Sequence, residues 1–320
     1  VRTPSAVEAH RRVPFEEVST KQFHSKLKQK GVKRYIQELY EVNKENGCPN
    51  VGGATVSEPD DMCEHTARYY ANLMSPKASD PQATEVLRKK LEQNALTDAD
   101  RKKLDGKVTE SEVRVAIRRM AKGKSPGPDG LPAEYFHVME NTIAEDMADY
   151  YNELYDGRQL TSNMLMGEII LLYKKKDPRD IRNYRPITLL QVQYKILTKI
   201  LVERLKKVIE RIISPCQTGF VPGRRIQWNT HLLNLIEAYL DETDEDGLLV
   251  FLDWEKAFDR VSWDYLHVAA KALGLGTTMC EWLHMLYNSD CPAKRRVSVN
   301  GFFSDYFTLG CGTAQGCPAS

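Results

Sequence analysis

The stretch LLVFLDWEKAFDRVSW, residues 248–263, joins an apolar run to three acids, Asp253, Glu255 and Asp259. Leu248–Leu252 follows the acidic cluster DETDED at 241–246 and is too short for a typical helix, so it reads as a central strand. Asp253 then stands at the strand's C-terminal end, where sheet proteins present functional groups. Glu255 shares its side if the strand continues, and Ala257–Asp259 turns into a helix carrying Trp263 and Leu266. Two readings stay open at this point. Asp253 and Asp259 end the strand and cap the following helix, or the strand exists to hold Asp253 at a site.

The rest of the chain sets the frame for that choice. With 320 residues, 42% of them apolar, it can bury one large core or two smaller ones. Its 45 basic and 44 acidic residues nearly cancel, so composition by itself implies no nucleic-acid partner, and the distribution of charge decides. Seven cysteines, at 48, 63, 216, 280, 291, 311 and 317, form no CxxC pair and no zinc spacing. Reduced thiols in an intracellular protein are expected. No run approaches 18 apolar residues and the first twelve residues lack a secretory core, so no membrane association is expected. The missing initiator Met and the end at GCPAS are expected of a piece of a longer chain.

Helical spacing of Phe23, Leu27, Tyr35, Ile36, Leu39 and Tyr40 predicts a helix over 16–42, and another is expected over 61–73. Thr109 and Glu112 form a capping-box match ahead of Val113, Ile117 and Met120, with the helix stopping near Gly123. KSPGPDGLP, 124–132, is a rigid turn. A helix over 133–155, a strand from Glu168 and one long amphipathic helix from Tyr194 to Ile212 follow. Between 171 and 225 there are 14 Lys and Arg against 4 Asp and Glu, a local net of +10 in a chain of +1. Part of this is a solvated helix face, but the basic residues bracket strand and loop breaks, as a phosphate-facing surface would have them.

Six blocks then stand in order: KSPGPDG at 124–130, LLYKKKDPRDIRNYRPITLL at 171–190, KILTKILVERLKKVI at 195–209, QTGFVPGR at 217–224, LDWEKAFDRV at 252–261 and TAQGCPAS at 313–320. In this series the chain resembles the reverse transcriptase family, most closely the polymerases of LINE-type, non-LTR retrotransposons. The resemblance implies an α+β fold, the fingers and partial palm of a right-hand polymerase with a helical N-terminal extension. The corresponding segments are 1–97 for the extension, 98–247 mainly for fingers and 248–320 for partial palm.

The same resemblance assigns roles. Asp253 and the backbone carbonyl of Trp254 match metal-binding positions, for Mg2+ or Mn2+; hard oxygen ligands suit such ions. Glu255 is left outside that set. Phe258 matches the aromatic that excludes a ribose 2'-hydroxyl. Lys174, Arg185 and Gln315 match nucleotide-binding positions, and a guanidinium can grip phosphate bidentately. Lys175, Lys176, Gln217 and Arg224 are expected at template or primer. Gly127, Asp129, Gly130, Gly219, Gly223, Asp259 and Gly316 are structural, with Asp259 a cap or local scaffold. The implied partners are an RNA template, a DNA primer and deoxynucleoside triphosphates.

Two departures qualify these expectations. Ala314 and Ala319 stand where the family more often has Arg and Leu. The family's second metal-binding block, an aromatic-Ala-Asp-Asp turn, lies downstream of the QG block, and Asp60–Asp61 does not replace it. A polymerase fragment is therefore expected, with a noncatalytic nucleic-acid-binding remnant or a pseudogene product as alternatives.

Overall fold

The structure, a computed structural model, describes residues 35–319. The chain divides into Val1–Gln37 and Glu38–Ser320, and every element named here lies in the second unit. Two short strands, β1 (Leu39–Tyr40) and β2 (Thr55–Val56), pair antiparallel. The helix expected over 16–42 is thus corrected at its C-terminal end: Leu39 and Tyr40 are buried strand residues. Tyr35 and Ile36 are in no regular element, and the positions before Tyr35 lie outside the described residues. Helix α1 (Pro59–Leu73) buries Met62, Cys63, Thr66, Tyr69, Tyr70 and Leu73, a spacing of three and four that puts them on one face. Helix α2 (Pro81–Glu92) starts at Asp80, whose carboxylate accepts from the N–H groups of Gln82 and Ala83.

Helix α3 (Glu110–Arg118) has the expected capping box: Thr109 Oγ1 accepts from Glu112 N while the Glu112 carboxylate accepts from Thr109 N. It ends earlier than expected, with Arg119 as C-cap. α3 packs between α4 (Ala133–Asp156) and α5 (Val192–Leu205) through Val113, Ala116 and Ile117, all buried. Arg204 of α5, with its side chain 5% exposed, donates to Glu112 and to the carbonyls of Gly106 and Lys107. The turn of 124–132 lies over the start of α5. A Cβ on Gly127 would stand 2.5 Å from the backbone N of Gln191, so only glycine allows this approach.

The sheet runs β4–β3–β5–β6, with β3 (Met166–Tyr173) central. β3 pairs antiparallel with β4 (Tyr184–Leu190) and parallel with β5 (Lys294–Val299), a register that sets Ile169 against Val297, both fully buried. β5 turns through Asn300–Gly301 into β6 (Phe302–Phe303), and β7 (Phe307–Thr308) also pairs with β5. Both turn residues have positive φ, 55° and 97°, the geometry a two-residue hairpin requires.

Two further expectations are corrected. The long helix from 194 to 212 breaks after Leu205, leaving a short turn at Ile209–Ile212. Leu248–Leu252 is not a strand. No described residue pairs with it, and its side chains are 53–91% exposed. A strand needs a partner for its N–H and C=O groups, and an apolar run supplies none by itself. Helix α6 (Ile226–Thr243), which leads into this run, buries no residue and exposes Trp228, Leu232, Leu235 and Tyr239. Beyond it stand α7 (Trp263–Ala272) and α8 (Gly276–Leu286). Among the described residues no helix is long and apolar enough to cross a membrane, and the seven cysteines are free thiols.

Candidate nucleotide and template site

Three of the six blocks meet at one place. The chain at 256–263 lies against 310–316: Thr313 N donates to Phe258 O at 2.8 Å, Gly312 N to Val261 O at 2.7 Å and Trp263 Nε1 to Gly312 O at 2.9 Å. The 310–316 segment is tied in turn to β4, since Thr188 N donates to Gln315 O at 2.7 Å. Gly316, at φ 127°, lets that approach happen; a Cβ there would lie 2.5 Å from Thr188 O. Lys256 closes the triangle by donating its Nζ to Tyr184 O at 3.0 Å.

Asp259 is the buried centre of this arrangement, 1% exposed. Gln315 Nε2 lies 3.4 Å from each of its carboxylate oxygens. Burial pushes the Asp259 carboxyl up to about 6, against the opposing pull of Lys256, the Gln315 amide and Arg260. Loss of hydration likewise lowers the Lys256 ammonium below the usual lysine range. The N-cap of α7 is Ser262, whose Oγ accepts from Tyr265 N, so Asp259 does not cap that helix. It joins the 256–259 turn to Gln315, the residue expected at the nucleotide.

Phe258 is half-exposed beside Asp259 and meets the Phe220 ring edge to face, centroids 6.3 Å apart and planes at 86°. On the β3–β4 hairpin, Tyr173 opposes Tyr184 and their rings pack at 5.5 Å. Alternation along both strands then puts Leu172, Lys174 and Arg185 on the other face, where all three are exposed. Among the described residues neither Lys174 nor Arg185 has a carboxylate at ion-pair distance, whereas Arg179 and Arg182 are held by Asp177 and Asp180. The hairpin thus keeps two cations free for an anion. Lys175 and Lys176 are exposed at its turn, Lys176 at φ 74°.

The loop at 214–224 is braced from within. Arg224 donates to the carbonyls of Ser214, Gln217 and Ile213, and Gln217 Nε2 donates to Gly219 O at 2.9 Å. Both side chains, expected at the template, shape the loop that carries Phe220. In the 124–132 turn, Asp129 Oδ1 accepts from Leu131 N and Gly130 takes φ 72°.

Asp253 and Trp254 are exposed in the irregular segment after Leu252. Among the described residues no group of three or more His, Cys, Asp or Glu could hold a metal ion. One exposed carboxylate and one carbonyl do not fill the octahedral oxygen shell that Mg2+ demands, so this donor set does not fit the ion expected.

Residues 173–320 match the family model described as "Reverse transcriptase (RNA-dependent DNA polymerase)". Residues 173–320 belong to the reverse transcriptase family. It is 32% identical over 298 residues, 93% of its length, to "Transposon TX1 uncharacterized 149 kDa protein" of Xenopus laevis, covering 22% of that protein. It is 29% identical over 217 residues, 65% of its length, to "RNA-directed DNA polymerase from mobile element jockey" of Drosophila melanogaster, covering 23% of it. A third relative is "Retrovirus-related Pol polyprotein from type-1 retrotransposable element R1" of Bradysia coprophila, 28% identical over 158 residues, 48% of this chain and 15% of that protein. The chain spans about a fifth of the length of these curated relatives. In this reverse transcriptase segment the mutually bonded floor of 184–190, 256–263 and 310–317 falls wholly within the matched region.

Sequence reasoning gave no role to Lys256, Thr188 or Phe220. Lys256 lies three residues before Asp259 inside the opening stretch, a spacing that signals a local charge pair. Phe220, an aromatic following a glycine, was legible as a ring on a turn. Thr188 acts through its backbone and leaves no side-chain signal.

Proposed function

We propose that this reverse transcriptase segment serves RNA-directed DNA synthesis within a longer polymerase, adding deoxynucleotides to a primer 3'-hydroxyl on an RNA template. The observation that carries this reading is the joining of the Phe258–Asp259 turn to Gln315 and β4, beside a hairpin whose Lys174 and Arg185 have no carboxylate at ion-pair distance among the described residues. Lys174 and Arg185 would receive triphosphate oxygens, Arg185 through paired N–H groups. Phe258 would fill the volume of a ribose 2'-hydroxyl, and Gln315, fixed by Asp259, would face base or template. Residues 98–247 then act mainly as fingers and 248–320 as part of the palm. Asp253 would contribute one carboxylate to divalent-metal chemistry in that longer chain. RNA template and DNA primer are the partners.

The test is binding of a labelled RNA/DNA hybrid across a salt series. Neutralising several phosphates releases condensed counterions, so the affinity should fall steeply as salt rises. A salt-insensitive or absent signal overturns the reading. In a longer polymerase, Phe258→Ala should raise incorporation of ribonucleotides relative to deoxynucleotides, read by single-nucleotide extension. A second reading, nucleic-acid binding without catalysis, is favoured because among the described residues no group of three or more His, Cys, Asp or Glu could hold a metal ion. It expects salt-dependent binding with no extension by this chain in Mg2+. Extension that Asp253→Asn abolishes would overturn it.

A further inference from the structure

Phe220 is held where neither burial nor backbone preference accounts for it. Its ring is 96% exposed, and its φ of 61° lies in the left-handed region that bulky side chains avoid. The loop around it is nonetheless built. Arg224 donates to three loop carbonyls, Asn229 Nδ2 donates to Cys216 O at 3.1 Å, and Thr218 and Val221 on either side are buried. A braced loop with inward anchors on both sides of an outward ring fixes that ring in space. Strained residues of this kind gather at ligand clamps. The one described ring beside it is Phe258, which meets it edge to face and leaves aromatic surface of both rings open to solvent.

We propose that Phe220 is a stacking platform for a nucleobase, next to the position where Phe258 would meet a sugar. This rests on the nucleic-acid reading above and adds a contact to the base itself. Every base offers a π-face, so a rigid exposed ring binds any of them, while the surrounding net positive charge of 171–225 holds the phosphates. A packing role alone would have placed the ring inward, as it does Val221.

The test compares a short single-stranded oligodeoxynucleotide, an abasic oligomer of equal length and a deoxynucleoside triphosphate, each titrated against the 320-residue chain and its variants. The wild-type chain is expected to bind the base-bearing strand more tightly than the abasic one. Phe220→Ala and Phe220→Gly should lower affinity for the base-bearing strand or the triphosphate by roughly 5- to 150-fold, the loss of one base–aromatic stack. Whichever ligand weakens identifies the source of the base. Abasic binding should not change, and Phe220→Trp should keep the affinity. Phe220→Gly should also raise the Tm, because glycine takes this φ freely, so weaker binding cannot be laid to poorer folding. Unchanged affinity of both base-bearing ligands in Phe220→Gly overturns the stacking role and leaves the phosphate surface standing. Failure of the wild-type chain to bind either strand overturns the nucleic-acid reading and the platform with it.

Discussion

Burial of the Asp259 carboxylate beside Gln315 raises it to about 6 because lost hydration outweighs the attraction of Lys256 and Arg260. An unfolded aspartate titrates near 4, so between about pH 4 and pH 6 the folded chain keeps a proton that the unfolded chain has released. Stability therefore falls as pH rises through that window and levels off above it. Asp259→Asn keeps the shape and an acceptor for Gln315 but has no charge to bury. It is expected to be more stable than wild type by about 3 kcal/mol above pH 6.5 or so, with the difference gone below about pH 3.5. Urea unfolding of both proteins across pH 3 to 8 would check this, and a variant less stable at neutral pH would contradict it. A carboxylate retained at such cost in the middle of three bonded blocks fits a functional region, where local stability rules are commonly broken. Phe220, at its positive φ, carries strain of order 1–3 kcal/mol for the same kind of reason.

At the scale of elements, legibility follows how local each signal is. The Thr109–Glu112 capping box, the α4 helix and the β3 strand were readable because their determinants lie within a few residues of one another. The Asn300–Gly301 hairpin was equally readable, being a strong short-range turn signal, and was not read. Leu248–Leu252 was misread because a strand is a property of two segments, and the run itself declares only its aversion to water. The break after Leu205 was hidden because Leu205, Val208, Ile209 and Ile212 keep helical spacing across a turn. The Glu112–Arg204 bridge was invisible, joining residues 92 apart in sequence. Burial raises the Glu112 carboxyl, but the Arg204 hydrogen bonds and charge overcome this and hold it below the ordinary range. Arg204→Met would strand Glu112 and the carbonyls of Gly106 and Lys107. It should cost about 3–5 kcal/mol in urea unfolding, whereas Thr109→Ala, which removes one cap, should cost about 1 kcal/mol. Equal losses would show the bridge to be no more than a surface pair.

For the whole molecule, the exposed run at 248–254 and the bare apolar stripe of α6 form sequence-adjacent apolar surface of a kind that monomeric proteins seldom display. The purified chain should bind hydrophobic dyes and self-associate, and limited proteolysis should cut first between 244 and 257, where no regular element protects the backbone. Phe251→Glu should reduce light scattering without lowering the Tm, since its ring is 79% exposed. A drop in Tm would mean that the run packs in solution.

The parallel pairing of β3 with β5 also bears on how the chain is made. On the ribosome, β3 emerges and can pair at once with β4, but its other edge waits for residues 294–299. At about 5–20 residues per second, that edge stays bare for roughly 6–25 s, during which Met166–Ile170 can pair with the wrong strand or recruit a chaperone. Nascent chains arrested before residue 294 should therefore remain protease-sensitive at β3, and those that have released residue 309 should become resistant together across the sheet.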